Sequence, residues 1–290
     1  MENSLMTQWI LPAALFSIML GVGMSLRVAD FKRVLSSPGV VVMGVSMQLL
    51  LLPLLGFVVV NLLALPPALA IGLMILTFSP GGATSNMITY LARGDTALSV
   101  CMTATVSLIA PFTLPWLTLW ALTHWQGEAQ AINFPVYTTT LKLVVMTVVP
   151  VVLGVAIQHW HSAFCARLQK PVKMLSMVFL LLVVVGIAKA NWVRLPELVM
   201  QLGPAVMLLI GLAFTVGFGL ARKLRLDKTQ SLTLAIEVGI QNAGTALLVT
   251  GMVLQNAEMS ATALTYGILM NLPAFALIFY RNRFNVVPAS

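Results

Sequence analysis

Glu237 lies in Glu237-Val-Gly-Ile-Gln-Asn-Ala-Gly244, inside an apolar stretch running from Ser231 to Leu254. It is the one acidic residue inside such a stretch of this sequence. A carboxylate at a bilayer centre costs about 2.5–3.5 kcal/mol even on the lenient insertion scale, so it marks a site by default. It can balance the charge of a hard cation or carry a proton itself. A second apolar run, Ala68 to Ala92, is interrupted by Ser79-Pro-Gly-Gly-Ala-Thr-Ser-Asn86. Ser85 and Asn86 follow that break, where backbone carbonyls lose their helical partners. Ser99 and Thr103 are four residues apart and share a helix face. Hydroxyls, amide oxygens, free carbonyls and one carboxylate together suit sodium without an excess of charge. A break also exposes half-helix N-termini, whose amides and dipole favour an anion. The plainer readings of the same residues stay open: Ser99 and Thr103 as packing hydroxyls, Gln48 as an interhelical hydrogen bond, Glu237 as a proton carrier.

The elements that must position these groups are membrane spans. Of 290 residues, 59% are hydrophobic and 8% charged, with a mean hydropathy of +0.98; a soluble domain carries roughly 25% charged residues. The net charge of +8 does not point to nucleic acid, because the basic residues sit in short loops and no binding motif accompanies them. Cys101, in a span, and Cys165, in a basic loop, make no disulfide framework and are expected to be reduced. His159-Trp-His161 has no third metal ligand nearby in sequence. Pro53, Pro111 and Pro115 read as kinks, and Lys142 and Lys189 as snorkelling side chains. No nucleophile–base pair suggests an intramembrane enzyme. Paired breaks around one acid suit occluded sites better than a channel.

The pattern predicts an all-α polytopic membrane protein with nine transmembrane helices. Their approximate bounds are 9–26, 39–63, 68–92, 96–122, 139–158, 174–190, 198–221, 231–254 and 261–280. Glu2 and the absence of a leading basic run make the first a span rather than a cleaved signal. The loops after spans one, three, five and seven and the tail after nine hold the basic residues, apart from Lys142, Lys189 and Arg194. That bias places the N-terminus outside and the C-terminus in the cytoplasm. The broken third and eighth spans are five apart, an odd offset that reverses orientation. The expected arrangement is therefore an inverted repeat (4+5) in one membrane domain, 1–290. Repeat one covers about 9–122 and repeat two about 139–280. It divides into a bundle holding the broken helices and a smaller panel.

Pro80-Gly-Gly-Ala-Thr-Ser-Asn-Met-Ile-Thr-Tyr-Leu-Ala-Arg-Gly-Asp95, Ala97-Leu-Ser-Val100 and Glu237-to-Gly244 resemble the motifs of the bile acid:sodium symporter family. The resemblance implies inverted five-helix units with two discontinuous helices crossing near the midplane, here in a bacterial nine-helix form lacking the first helix. It implies two transported sodium ions behind the crossover. Ser85, Asn86, Ser99, Thr103 and Glu237 would hold one. Gln48, Glu237, Val238, Ile240 and Gln241 would hold the other, Val238 and Ile240 through their carbonyls. Substrate would meet Ala83, Thr84, Asn242 and Asn271. Ala83 and Thr84 are exchanged relative to the family pattern, and a His-Asn pair of some members reads Met270-Asn271 here. The implied activity is sodium-coupled symport, importing an organic anion, either a small pantoate-like carboxylate or a bile-acid-like molecule, by alternating access. Proton coupling through Glu237 is the alternative, with an intramembrane enzyme or channel more remote. The expected setting is the inner (plasma) membrane, multi-pass, as a monomer in a lipid bilayer.

Overall fold

A computed structural model describes residues 11–26, 38–127, 134–165 and 195–284, with residues 167, 168, 171, 174, 178 and 185. Among the described residues the chain is helical and has no sheet strand. The helices are α1 (Leu11–Ser25), α2 (Pro38–Leu62), α3 (Pro67–Thr77), α4 (Ala83–Leu91), α5 (Thr96–Gln126) and α6 (Val136–Trp160). They continue as α7 (Leu195–Lys223), α8 (Lys228–Gly239), α9 (Ala243–Val253), α10 (Ala257–Leu269) and α11 (Asn271–Phe284). Five helical segments are long and apolar enough to cross a membrane: α2, α5, α6, α7 from Met200, and α10 with α11 as one run. The third and eighth expected spans appear as the pairs α3/α4 and α8/α9, each interrupted. The sixth, 174–190, lies outside the described residues apart from isolated positions.

Helix surfaces bear the membrane reading out. On α2, Leu50, Leu54, Val58 and Leu62 recur every four residues and all point outward. On α5, Phe112, Trp116 and Trp120 do the same. Large apolar stripes of this kind need lipid or a partner to cover them. The polar side chains of Ser79, Ser85, Glu237, Gln241 and Asn242 are buried instead.

Local chemistry sets the helix ends. Asp95, Asp227, Asn242 and Asn256 cap α5, α8, α9 and α10, each accepting a backbone N–H three residues on. Ala64, Arg93, Arg225 and Gln255 end α2, α4, α7 and α9 in the left-handed region, with φ from 46° to 67°. Pro53 and Pro150 each follow a wide turn, at Met47–Leu51 and Val144–Val148. There the Leu52 and Val149 amides reach back five residues, which makes room for the ring of the following proline. Pro111 and Pro115 sit within an unbroken α5.

Packing then fixes the frame. α1 lies backbone-to-backbone against α6, since a Cβ on Gly154 would fall 2.6 Å from the Leu20 carbonyl oxygen and the Met24 amide. α7 runs along α8, and α10 along α3. α5 touches both broken pairs, through α3, α4 and α8. Arg281 Nε and Asn282 Nδ2 donate to the Ala92 and Leu91 carbonyls, each at 3.2 Å, joining the ends of α11 and α4. The Asp95 amide donates to Thr233 Oγ1 at 2.8 Å, joining the starts of α5 and α8. Arg93, Arg225, Lys228, Arg281 and Arg283 thus gather at one end of the molecule.

Thr233→Val keeps the shape and removes that acceptor. Leaving a part-buried N–H without its partner costs about 1–3 kcal/mol. A lower melting temperature in detergent is expected, against no change for Thr215→Val, whose hydroxyl on exposed α7 bonds only its own helix. Equal melting of the two variants would remove this tie from the account.

Candidate functional site

The two interruptions meet. Past Phe78 the chain runs through Ser79 and Pro80 to an extended Gly82 before α4 begins. Past Gly239, Ile240 is extended and Asn242 opens α9. Gly81 and Gln241 form an antiparallel bridge, and the Asn242 amide donates to the Pro80 carbonyl at 2.9 Å. Each break thereby satisfies backbone groups freed by the other. Tyr266, fully buried on α10, donates its hydroxyl to the Gly239 carbonyl at 3.0 Å. Gly81 lies close against the carboxylate: a Cβ there would fall 2.8 Å from Glu237 Oε2 and displace it.

Behind the bridge lies a buried set of oxygens. Ser99 Oγ is 2.5 Å from Glu237 Oε1 and 2.7 Å from Asn86 Oδ1. Thr103 Oγ1 is 2.9 Å from Glu237 Oε2 and 3.3 Å from Asn86 Oδ1. Each hydroxyl has one proton and faces two acceptors. With Glu237 ionised and the Asn86 amide oxygen turned toward both hydroxyls, two protons serve four close oxygen contacts, and the other two contacts set lone pair against lone pair. Glu237, Ser85, Ser99 and Thr103 are wholly buried, and Asn86 is part-buried. The Ser85 hydroxyl donates to the Gly82 carbonyl at 2.7 Å and helps fix the turn into α4.

Gln48 belongs to the same region through the wide turn of α2. Its Nε2 donates to Gln241 Oε1 at 3.1 Å. Gln241 Nε2 in turn donates to the carbonyls of Glu237 (3.0 Å) and Val238 (2.8 Å). Gln48 Oε1 is buried and has no partner. Val238 and Ile240, also fully buried, shortly precede Gln241 on the chain. Among the described residues no three of His, Cys, Asp and Glu cluster, so hydroxyls, amides and one carboxylate make up the donor set. Cys101 and Cys165 are both buried, and the Cys165 thiol donates to the Met24 carbonyl at 3.3 Å.

A cavity of ≈ 120 Å³ opens beside the bridge. Gly82, Ala83 and Thr84 at the start of α4 and Asn242, Ala243 and Gly244 at the start of α9 form one part of its wall. Ile18, Leu247, Leu264 and Ile268 form an apolar part. Asn242 caps α9 through Oδ1, which accepts the Thr245 amide at 3.3 Å. Its Nδ2 has no partner although the residue is only 7% exposed. Ala83 and Thr84 are exposed, and their face of α4 continues through exposed Met87 and Tyr90. The matching start of α9 is buried at Gly244, Thr245 and Leu247. Asn271 is not among the cavity residues; its Nδ2 donates back to the Gly267 and Ile268 carbonyls at 2.8 and 3.2 Å.

The structure therefore brings together Ser85, Asn86, Ser99, Thr103, Glu237, Gln48 and Gln241 on one side of the crossover, and Ala83, Thr84 and Asn242 on the other. Sequence reasoning read Gly81 only as part of the helix break and did not single out Tyr266 or the apolar wall. A tyrosine deep in the ninth apolar run was the available signal for Tyr266.

Comparison with known proteins follows the same lines. The profile of the Sodium Bile acid symporter family matches residues 12–197. The chain is 30% identical over 229 residues to the "Uncharacterized sodium-dependent transporter YocS" of Bacillus subtilis, covering 78% of this chain and 69% of that protein. It is 34% identical over 241 residues to the "Probable sodium/metabolite cotransporter BASS1, chloroplastic" of rice, Oryza sativa subsp. japonica, covering 81% of this chain and 57% of that protein. Against the human "Sodium/bile acid cotransporter 4" the identity is 31% over 238 residues, covering 79% of this chain and 53% of that protein. The chain thus spans little more than half the length of the latter two.

Gly81→Ala drives a methyl group at Glu237 Oε2, whereas a Cβ on Gly82 meets nothing closer than 3.5 Å. Any cation-specific rise in melting temperature of the purified protein is expected to vanish in Gly81→Ala and persist in Gly82→Ala. A rise surviving in Gly81→Ala would separate the cation effect from the Glu237 oxygens.

Proposed function

The chain belongs to the sodium bile acid symporter family, whose members are sodium-dependent transporters rather than enzymes, and on that premise we propose that it imports an organic anion together with sodium by alternating access. The observation that carries this reading is the oxygen excess around Glu237: four close contacts, two protons. A bound cation turns those opposed lone pairs into ligands. Sodium suits them, being hard and singly charged against a single carboxylate. In this reading Ser85, Asn86, Ser99, Thr103 and Glu237 hold one sodium ion. Gln48, Glu237, Val238, Ile240 and Gln241 hold a second, with Gln48 Oε1 the acceptor that now lacks a partner.

The two sides of the crossover make the coupling physical. Asn86 sits on α4, Ser99 and Thr103 on α5, and Glu237 on α8. A cation among them draws the three helices together and steadies the bridge between Gly81 and Gln241. The anion meets the other face of that bridge at Ala83, Thr84 and Asn242. Sodium thereby favours the state in which those groups are set for substrate, and by linkage substrate favours sodium. Nine spans in an inverted 4+5 repeat, with α3/α4 and α8/α9 as the broken members, accommodate the described helices. The exposed face of α4 leads from the cavity toward the basic end, while the start of α9 is packed shut. In this reading the transporter works as a monomer in the plasma membrane.

Proton coupling is the competing reading, since a proton on Glu237 also adds a donor to the crowded oxygens. It leaves Gln48 Oε1 unserved, which favours sodium. Uptake of small carboxylates and of cholate into proteoliposomes separates the two when sodium is varied at fixed pH and pH at fixed sodium. Sodium-dependent uptake is expected, falling to the level of empty vesicles in Glu237→Ala and Gln241→Ala with insertion intact. Uptake that follows pH alone, or unchanged sodium dependence in both variants, would overturn the sodium assignment.

A further inference from the structure

The wide turn at Met47–Leu51 keeps one face of α2 pointing inward along the helix. Gly44, Gln48, Leu52 and Gly56 are buried at every fourth position. The exposed stripe from Val42 to Leu62 keeps the same spacing. Four residues of α-helix overshoot a full turn by about 40°, so a stripe with this spacing would wander about 200° between Val42 and Leu62. The wide turn takes up about one residue of that drift, or about 100°. The inward face is in use at three heights. A Cβ on Gly44 would fall against the Met102 and Leu234 side chains and one on Gly56 against Thr77, and between them Gln48 Nε2 reaches Gln241.

Pro53 holds that turn open. The Leu52 amide goes to the Met47 carbonyl, and residue 53 has no amide to offer. The buried Gln48 carbonyl is thereby left without its helical donor, in a residue whose Oε1 also lacks a partner. We propose that Pro53 is a positioning residue for cation binding: by keeping the turn wide it aims Gln48 at Gln241 and sets the sodium affinity of that side of the crossover. The inference rests on the sodium-symport reading and adds to it a residue that acts through Gln48. An ordinary helical turn would return the Leu52 amide to the Gln48 carbonyl and carry the Gln48 side chain about 100° around α2, away from Gln241. Proline as such does not have this effect. Pro111 and Pro115 sit in an unbroken α5. Pro150 follows a wide turn of the same kind, but that turn packs against α1 and α5, and its Thr147 donates back to its own helix at Leu143.

The test is the sodium dependence of thermal unfolding of the purified protein, with choline replacing sodium at constant ionic strength. Sodium is expected to raise the melting temperature of the wild type saturably. Removing a group that orients a metal ligand typically costs about 10–100-fold in affinity, so Pro53→Ala is expected to weaken the sodium midpoint by about tenfold. Pro150→Ala, which returns an amide to the matching turn of α6, is expected to leave the midpoint unchanged. Gln48→Ala weakens it too, and adding Pro53→Ala to Gln48→Ala is expected to cost nothing further, as for two changes in one interaction. Melting in choline reports whether each variant is folded. Pro53→Gly, which returns the same amide without a side chain to pack, takes the place of Pro53→Ala if that variant is not. An unchanged midpoint in the Pro53 variant, an equal loss in Pro150→Ala, or losses from the Pro53 and Gln48 changes that multiply would overturn the inference and leave the symport reading standing. If sodium does not stabilise the wild type, the symport reading itself fails, and this inference with it.

Discussion

The arrangement depends on two broken backbones repairing each other. Helices in hydrocarbon must satisfy every N–H and C=O, and an interruption is tolerated only where something else supplies partners. Here the partner of each break is the other one, through the bridge of Gly81 with Gln241 and the bond from the Asn242 amide to the Pro80 carbonyl. Glycine at 81 lets the strands approach until the backbone lies against Glu237. Tyr266 closes the account at the end of α8 by serving the Gly239 carbonyl. The result is one junction with two faces, oxygens and a carboxylate on one and helix starts on the other.

That geometry explains why a costly acid sits in a membrane helix. Glu237 is held by Ser99 and Thr103 from α5, and the same hydroxyls reach Asn86 on α4. In the proposed reading a bound cation relieves the shortage of protons in the cluster. The proposed ion is therefore a structural partner of the crossover as well as cargo. In the proposed cycle cation and anion need not touch to influence each other, because both would act on the same short stretch of backbone.

Much of this was legible in the sequence, for identifiable reasons. An acid within an apolar run is rare enough to stand out, and Pro80-Gly-Gly82 cannot continue a helix, so Glu237 and both breaks were visible at once. Ser99 and Thr103 follow from helical spacing. Gln48 was open to a bland reading, and only the wide turn of α2 with its unpartnered Oε1 sets it apart. Asn271 was expected to meet substrate, but its amide folds back on its own helix, a choice that pattern alone does not reveal. The ends of α2, α4, α7 and α9 fall within two residues of the expected bounds, although Ala64, Arg93, Arg225 and Gln255 take the left-handed conformation usually signalled by glycine. The cavity wall was illegible: Ile18 and Leu264 look like any other apolar residue until the helices are assembled.

The central claim is that the oxygens around Glu237 are completed by sodium. Calorimetric titration of the purified protein tests it most directly, with sodium against potassium and choline, in wild type and in Glu237→Gln. That substitution keeps the side-chain shape and replaces one acceptor oxygen by a donor, relieving the shortage of protons without an ion. The account predicts saturable, sodium-selective heat in the wild type and none in Glu237→Gln. Equal heats from sodium and potassium, or sodium binding undiminished in Glu237→Gln, would contradict it.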